Sequence, residues 1–560
     1  MFACAQAAAA LLVFIALSGC ATLRNAPILT AYGVTGSPQI FEGMGPHTHT
    51  ITTDSPEAQE YFNQGWNWMY SFNHDEAVRS FTKATELDPE CAMAWWGVGY
   101  AQGPNYNDPV MIENRSSAAW EALQNALARI ENTTPEERAL IEALTHRYEN
   151  PAPKDRKHLE KAFADAMAKV WAYYPNNSDV GVLYAESLMV QYPWKLYTSD
   201  LLPAREDTLK IVAVLEQVLA MDPRNPGANH LYIHAIEPSD DKKRGIAAAD
   251  RLSDLVPGSG HLQHMPSHIY VQVGMWERSI EQNAKAMKCD DRYRVLSPEQ
   301  GRQHGYMAHN SHMLAFSAMM IGREREAMVA ARDMWKDLSK ENLRLVGPFL
   351  DSWMCSIYDV QKRFGRWDEL LAEPAPPKYL PITTAVWRAH RAIAYAAKKD
   401  FENAEREQMA FRSAMKAVPA TPAEGTYGIA VKFLLVSELF IDGEIALQKG
   451  YLEEAVGMLE EAVVIEDALG YGEPPMWLQP VRHTLGAVYL KSGRCADAER
   501  VYREDLAKWP GNGWSLYGLS RALERQGKTQ EALTVKREYD RAWARADAPT
   551  TTSCKCIPKT

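Results

Sequence analysis

The sequence has no block of five or more lysine and arginine residues, and its acidic residues outnumber its basic ones. There are 71 aspartates and glutamates against 60 lysines and arginines, and the formal net charge is -11 at pH 7. A nucleic-acid partner would require a basic face that neutralises phosphates. The composition therefore predicts that this chain does not bind nucleic acid.

Long hydrophobic runs are also missing from the sequence. The apolar stretch near the start, within MFACAQAAAALLVFIALSGC, is too short to cross a bilayer. Apolar residues make up 46% of the chain and charged residues 23%, which is typical of a folded soluble protein. Because 560 residues exceed what one compact core needs, we expect several domains or one elongated array.

The apolar stretch ends in the sequence LSGC, whose last residue is Cys20. Small residues before a cysteine resemble a bacterial lipoprotein signal. The resemblance implies that residues 1–19 are a signal peptide and that Cys20 carries a diacylglycerol on its sulfur. Because Ala21 follows, and not aspartate, it also implies a lipid-anchored protein of the cell envelope, on the periplasmic face of the outer membrane.

Cysteine is scarce, with eight residues in the chain. Cysteines beyond the signal segment mostly stand alone in helical stretches, where a small core residue is the expected role. Only Cys554 and Cys556 form a cluster, in the C-terminal sequence CKC. This pair predicts a disulfide, an anchor for a soft metal, or no specific role.

The chain is internally repetitive, with a period of 34 residues. The first unit carries a spaced set of small, aromatic and proline residues, which are Tyr61, Gly65, Trp68, Ala77, Phe81, Ala84 and Pro89. Most of this pattern recurs near the other end, between Leu485 and Pro510. Small residues at these places let two helices lie close together, and the proline ends the second helix. The pattern resembles the tetratricopeptide repeat.

This resemblance implies an all-α fold, a right-handed superhelix of about ten or more helical hairpins, partly degenerate. The predicted organisation is a signal peptide at 1–19, a linker at 20–55 that carries the sequence HTHT, an N-terminal array with insertions at 56–225, a histidine-rich block at 226–341, degenerate helical repeats at 342–435, a C-terminal array at 436–546 and a flexible tail at 547–560.

Histidine is concentrated in one part of the chain. Residues 230–312 hold eight of the 15 histidines, where composition alone predicts about two. The resemblance implies that the first helix of each repeat lines a concave groove. In three consecutive units of the repeat frame, the groove-lining places are occupied by His230, His234, Glu237, His261, His264, His268, His309 and His312.

Histidines four residues apart share one face of a helix, with Cβ atoms about 6 Å apart, which suits two imidazoles on one metal ion. Neighbouring helices about 9 Å away can supply further ligands. We therefore predict a transition-metal site formed by His230, His234, His264, His268, His309 and His312, with His261, His304, His47, His49 and Glu237 as further candidates. Because Pro266 suits only a first helical turn, the helix is expected to begin near Met265, leaving His261 and His264 in the preceding loop.

Imidazole and carboxylate ligands without thiolate suit copper, zinc or iron. The sequence HLYIH has the spacing of a zincin helix, but Leu231 stands where that helix has glutamate, so peptidase chemistry gains no support. Glu237 is a candidate third ligand of a facial triad, and Glu186 a candidate general base. Three functions stay open: a metal-binding protein with or without catalysis, a metal-free scaffold that grips a peptide, and a metal storage or delivery protein.

The same repeat frame places Phe62, Trp66, Trp96 and Tyr100 at groove-lining positions of the first two units. If these aromatic side chains are open to the groove, they are expected to bind an apolar or peptide ligand by stacking and area burial. The alternative is that the inserted segments pack over them. Tetratricopeptide arrays generally bind other proteins, so the resemblance implies a protein or peptide partner.

Overall fold

The computed structural model describes residues 38–297, 301, 303–338, 343–344, 350–419 and 427–557. Within these ranges the chain consists of α-helices joined by turns and short 3₁₀ segments, and no β-strand occurs in them. No helix in this part of the chain is long and apolar enough to cross a membrane. The predicted signal peptide at 1–19 and the lipidation site Cys20 lie outside the described residues.

The helices of the first half are α1 (Pro56–Tyr70), α2 (His74–Leu87), α3 (Ala92–Ala101), α4 (Glu113–Ala128), α5 (Pro135–Leu144), α6 (Lys157–Tyr173), α7 (Ser178–Met189), α8 (Glu206–Met221), α9 (Pro226–Ile236), α10 (Ile246–Leu252), α11 (Gly260–His264), α12 (Pro266–Gln272) and α13 (Trp276–Leu296). The second half contains α14 (Gln303–Met320), α15 (Glu324–Asp337), α16 (Ser356–Phe364), α17 (Trp367–Ala372), α18 (Pro381–Ala397), α19 (Phe401–Lys416), α20 (Tyr427–Lys449), α21 (Leu452–Asp467), α22 (Val481–Lys491), α23 (Cys495–Lys508), α24 (Gly513–Arg525) and α25 (Thr529–Ala542).

Consecutive helices pack as hairpins, as between α1 and α2, α14 and α15, and α20 and α21. The helix starts follow from capping: Ser55 accepts a hydrogen bond from the Ala58 amide ahead of α1, and Pro56 occupies the first helical turn. Glycine permits the close approach between helices, because a Cβ at Gly65 would lie 2.7 Å from the Phe81 ring. The predicted α-α solenoid is confirmed.

The array closes on itself instead of leaving an open groove. Helix α9 contacts α1, and a Cβ at Gly227 would lie 2.7 Å from the ring of Tyr70. The segment 38–55, predicted to be a linker, also packs on the repeats: the Phe41 ring lies 5.3 Å from that of Trp68, edge to face. The apolar side chains of the first repeats and of the histidine-rich block belong to one continuous buried core.

The C-terminal hairpins fold back on the middle of the chain. The Trp276 indole N–H donates to the Pro510 carbonyl at 2.8 Å, and the Trp514 indole N–H donates to the Met319 carbonyl at 2.7 Å. A 34-residue repeat period describes how neighbouring hairpins pack. It therefore does not predict contacts between hairpins more than 190 residues apart.

The prediction of a flexible tail at 547–560 is wrong for its described part, residues 547–557. Asp547 accepts hydrogen bonds from the backbone amides at the start of α15, with Oδ1 2.6 Å from the Glu324 nitrogen. Cys554 and Cys556 form a disulfide and are buried together with Ile557 against the C-terminal core. Apolar burial and hydrogen bonds at a helix N-terminus therefore hold this segment in place.

Candidate metal centre

Six histidines from four helices converge in the interior between α9, α11, α12 and α14. They form two groups of three in which the ligand atoms lie within 4.8 Å of one another. We call them the first set (His230, His234 and His261) and the second set (His264, His268 and His309). The six side chains are no more than 8% exposed, so the prediction of an open, histidine-lined groove is wrong. The contact of α9 with α1 covers His230, whose Nδ1 lies against the Tyr70 carbonyl.

Helix α9 carries two members of the first set on one face. Asn225 caps this helix by accepting from the Ala228 amide, and Pro226 begins the first turn. His230 and His234 are one helical turn apart, with ring centroids separated by 4.9 Å. Glu237 follows at the C-terminal cap and is completely buried.

The second and third repeats of the histidine block contribute through α11, α12 and α14. His261 and His264 lie on α11, which begins at Gly260 and is capped by Ser259, so the prediction that they occupy a loop is wrong. Pro266 is accommodated because Met265 keeps helical dihedral angles and the proline starts a new helix, α12. As a result His264 and His268 face each other across this junction.

In the first set, hydrogen bonds fix which nitrogen of His230 is free. His230 Nδ1 lies 2.7 Å from the Tyr70 carbonyl, which can only accept, so Nδ1 carries the proton and Nε2 keeps its lone pair. That Nε2 lies 3.2 Å from Nε2 of His261. His234 Nδ1 donates to Glu237 Oε1 at 2.8 Å, and the buried Nε2 of His234 has no hydrogen-bond partner among the described residues.

In the second set, His264 and His268 each have Nδ1 next to a hydrogen-bond acceptor. His264 Nδ1 lies 2.6 Å from Asn283 Oδ1, and the Asn283 amide is oriented because its NH₂ donates to the Ser279 carbonyl at 2.8 Å. His268 Nδ1 lies 2.5 Å from Glu237 Oε2. Both Nδ1 atoms are therefore donors, and the two Nε2 lone pairs face each other at 2.7 Å.

Two buried lone pairs at this distance repel each other unless a cation lies between or beside them. Ligand nitrogens on one tetrahedral ion, each about 2.0–2.1 Å from the metal, are separated by about 3.3 Å. The Nε2–Nε2 distance of 3.2 Å for His230 with His261 is near this separation, and the distance of 2.7 Å for His264 with His268 is shorter than it. Four of the six histidines, His230, His234, His264 and His268, have outer nitrogens held by carbonyl, amide and carboxylate acceptors, as metal ligands do. Nδ1 of His261 and Nδ1 of His309 have no hydrogen-bond partner among the described residues.

Two glutamates complete the cluster, and one of them was not predicted. Glu237 hydrogen-bonds one histidine of each set, through Oε1 to His234 and through Oε2 to His268. Glu473, from the segment between α21 and α22, places Oε1 3.3 Å from His268 Nδ1 and hydrogen-bonds Glu237. Burial and the charge of Glu237 raise the pKa of Glu473 well above its usual range. Glu473 is more than 160 residues from every histidine of the cluster in sequence, which is why local patterns miss it.

Burial dominates the electrostatics of the histidines. It lowers the pKa values of His230, His261, His264 and His309 well below the usual value, and the neighbouring histidines lower them further. The pKa of Glu237 is lowered to about 2. Burial alone would raise it, but the charges of His268 and His234 have the larger effect. The four imidazoles of His230, His261, His264 and His309 are kept neutral at pH 7 by burial, which is the protonation state that a metal ligand requires.

Aromatic side chains form the wall of the first set. The Phe72 ring lies 4.5 Å from His230 and stacks on His234 at 5.9 Å. Tyr106 and Trp194 each lie 5.4 Å from the His234 ring, and Trp194 is 45% exposed. His234 is therefore separated from solvent by one layer of rings, and sequence reasoning missed all three.

Several candidates are not brought to the cluster. His47, which is half-buried, and His49, which is buried, lie at another site, where they bond the two oxygens of Asp179 at 3.0 and 2.7 Å. His304 and His312, both on α14, join none of the three-ligand groups of the described chain. Burial lowers the pKa of His312 to about 3, and its ring packs 5.5 Å from that of Trp353.

Glu186 does not face the histidines. It is buried on α7, accepts a hydrogen bond from the Tyr100 hydroxyl at 2.8 Å, and burial raises its pKa. The aromatic ligand site is also corrected, because the side chains proposed for it are at most 1% exposed: Phe62, Trp66, Trp96 and Tyr100. They form a closed stack in which His49 covers the Trp66 ring at 4.1 Å. No surface of this stack is left for a ligand.

The comparison with protein families matches the model described as tetratricopeptide repeat at residues 62–102 and 483–547. These two segments are tetratricopeptide repeats. The first tetratricopeptide segment contains Tyr70, whose carbonyl fixes His230, so the repeat scaffold directly supports the cluster. The second lies in the hairpins that close onto the middle of the chain.

No curated protein matches this sequence. Among solved structures, the chain is similar to the human IFIT1 dimer with m7Gppp-AAAA, at 14% identity and a TM-score of 0.32, over 88% of this chain and 91% of that one. It is also similar to the APC/C hetero-tetramer Cut9–Hcn1, at 14% identity and a TM-score of 0.30, over 85% of this chain and 78% of that one.

Proposed function

We propose that this tetratricopeptide-repeat protein binds a transition metal in its buried histidine cluster. The observation that carries the proposal is the His264–His268 pair, whose Nε2 lone pairs face each other at 2.7 Å while both Nδ1 atoms donate to fixed acceptors. A hydrogen bond between the two Nε2 atoms would require one of the two rings to be doubly protonated. A cation shared by the two rings removes the repulsion.

That cation is a proton or a metal ion. Burial lowers the pKa of His264 well below its ordinary value, which disfavours a proton on this ring. A metal ion forms several coordinate bonds at once, and Glu237 supplies negative charge beside it. Imidazole and carboxylate donors without a thiolate favour copper, zinc or iron, and the Irving–Williams order favours copper or zinc.

Glu237 serves this centre as a positioning residue. Both of its oxygens accept hydrogen bonds from ligand histidines, so its carboxylate orients the ligands instead of facing a substrate. We assign no reaction to the centre. Stable binding and delivery to a partner use the same residues, and the repeats themselves favour a protein or peptide partner.

The second candidate function is a metal-free scaffold that binds such a partner, and the repeat match is the observation that favours it. The cell-envelope location and lipid anchor at Cys20 are likewise proposals, supported by the sequence LSGC. Metabolic labelling with a radioactive fatty acid tests them: label is expected in the parent chain and not in Cys20→Ser, and an unlabelled parent chain contradicts the anchor.

Elemental analysis separates the two functions. The full-length chain is stripped with a chelator, incubated separately with copper(II), zinc and iron(II), desalted, and measured by mass spectrometry. Metal bound in a fixed stoichiometry is expected in the parent protein and in the control His146→Ala/His158→Ala, which alters two exposed histidines. A large loss is expected in His264→Ala/His268→Ala. A parent protein that retains none of the three metals contradicts metal binding and favours the scaffold.

A further inference from the structure

We infer that the cluster is a centre for two metal ions, one held by the first set and one by the second. The inference rests on the proposed function and specifies its stoichiometry. It concerns six imidazoles and the carboxylate of Glu237, a donor set larger than one ion requires.

The number of donors argues first for two ions. Structural and catalytic sites for zinc use three or four protein ligands, and other transition metals use up to six. The first set and the second set each supply three nitrogens within 4.8 Å, and they share no residue. Three imidazoles with a further open position are a complete protein ligand set for one ion.

The spacing of the rings argues for the same division. Within the first set, the His230 ring lies 4.9 Å from both His234 and His261. Within the second set, the His264 ring lies 4.7 Å from His268 and 4.6 Å from His309, and the His268 and His309 rings are 5.6 Å apart. The ring pairs that join the two sets are farther apart, at 5.7 Å for His234 with His268 and 6.1 Å for His261 with His264.

Glu237 links the two sets without belonging to either. Oε1 accepts from His234 Nδ1 at 2.8 Å and Oε2 accepts from His268 Nδ1 at 2.5 Å. Each of these hydrogen bonds directs the opposite nitrogen, Nε2, toward its own set. The buried carboxylate of Glu237, whose pKa is held at about 2, also provides negative charge beside two ions.

One arrangement with a single ion competes with this one. His234, Glu237 and His268 also form a group of possible ligands, with the spacing of two histidines and one carboxylate. An ion at that position would bind Nδ1 of both rings and would break both hydrogen bonds to Glu237. It would leave His230, His261, His264 and His309 without a metal, although the first and third of these have Nδ1 atoms held by fixed acceptors.

The test compares stoichiometries in the full-length chain. The parent protein and two double variants, His230→Ala/His261→Ala for the first set and His264→Ala/His309→Ala for the second, are loaded with zinc or copper(II), and metal per chain is measured. We expect about two ions in the parent and about one in each double variant, because three ligands define a site. The exposed pair His146→Ala/His158→Ala is the matched control and is expected to retain about two.

The outcomes distinguish this inference from the function on which it rests. One ion in the parent protein, retained in both double variants, places the ion at His234, Glu237 and His268 and overturns the inference while metal binding stands. No bound ion in the parent overturns both. Two ions that remain in both double variants overturn the inference as well.

A second measurement needs no variant and therefore does not depend on folding of the double variants. In the copper(II)-loaded parent protein, neighbouring ions in the two sets are expected to couple magnetically. The integrated electron paramagnetic resonance signal should then be well below that of the same total copper in isolated sites, or be broadened by dipolar coupling. A signal with the full intensity and line shape of isolated copper(II) overturns the inference.

Discussion

Replacing Glu237 by glutamine is the most informative single change to the cluster. The carboxylate now accepts two N–H groups, one from His234 and one from His268. A glutamine side chain of the same shape offers one oxygen acceptor and one NH₂ donor. One of the two histidines must therefore accept at Nδ1, and its proton moves to Nε2, the nitrogen that faces the metal. Glu237→Gln thus blocks a metal ligand without removing any histidine.

The expected magnitude follows from the behaviour of residues that orient metal ligands. Their substitution typically weakens metal affinity by about 10- to 100-fold, or about 1.4–2.7 kcal/mol. The assay is a competition titration at pH 7 between the stripped protein and a chromophoric chelator for zinc. Circular dichroism and thermal unfolding of the metal-free proteins show that the comparison is made between folded chains.

The matched control is Glu186→Gln. Glu186 is also buried on a helix, but its carboxylate accepts from the Tyr100 hydroxyl, a bond that the amide oxygen of glutamine can keep. We expect its zinc affinity to stay within about twofold of the parent value. A Glu237→Gln protein that binds zinc as tightly as the parent refutes the reasoning, and so does an equal loss in Glu186→Gln.

Three further changes test the scaffold around the cluster. Below pH 6.5 the metal-free protein should lose stability, because histidines of the unfolded chain bind protons there whereas burial keeps His230 and His264 neutral in the folded chain. Each such histidine lowers the free energy of unfolding by up to about 1.4 kcal/mol per pH unit. Urea unfolding between pH 7 and 5 measures the loss. Stability independent of pH would contradict this. Gly227→Ala should lower the melting temperature because its Cβ would lie 2.7 Å from the Tyr70 ring, whereas Gly457→Ala, with no neighbouring atom within 4 Å, should not. Asp179→Asn should cost about 3–5 kcal/mol in urea unfolding, because it leaves His47 and His49 without the anionic partner that they share; a cost under about 1 kcal/mol would show that the pairs are not stabilising.

The repeated hairpins and most of the cluster were predictable because both depend on local periodicity. The 34-residue spacing of small residues such as Gly65 places the helices, and the four-residue spacing of His230 and His234 places two rings on one helical face. Helical geometry alone determines these features, so they can be read directly from the residue order.

The closure of the array was not predictable in the same way. Trp66 occupies a groove-lining place of its repeat, but whether that groove is open depends on contacts with segments far away in sequence. Glu473 reaches His268 from a turn with no distinguishing pattern of its own. His312 had the right place in the repeat frame, yet its position on α14 leaves it against Trp353 instead of in a ligand set. Long-range packing decides each of these cases.

Anomalous diffraction from crystals of the metal-loaded, full-length protein tests metal binding most directly. Data collected on either side of the absorption edge of zinc or copper locate the ion without reference to activity. The account predicts anomalous density among the Nε2 atoms of the buried histidines, next to His264 and His268. Density found only at exposed histidines such as His146 and His158, with none inside the cluster, would contradict it.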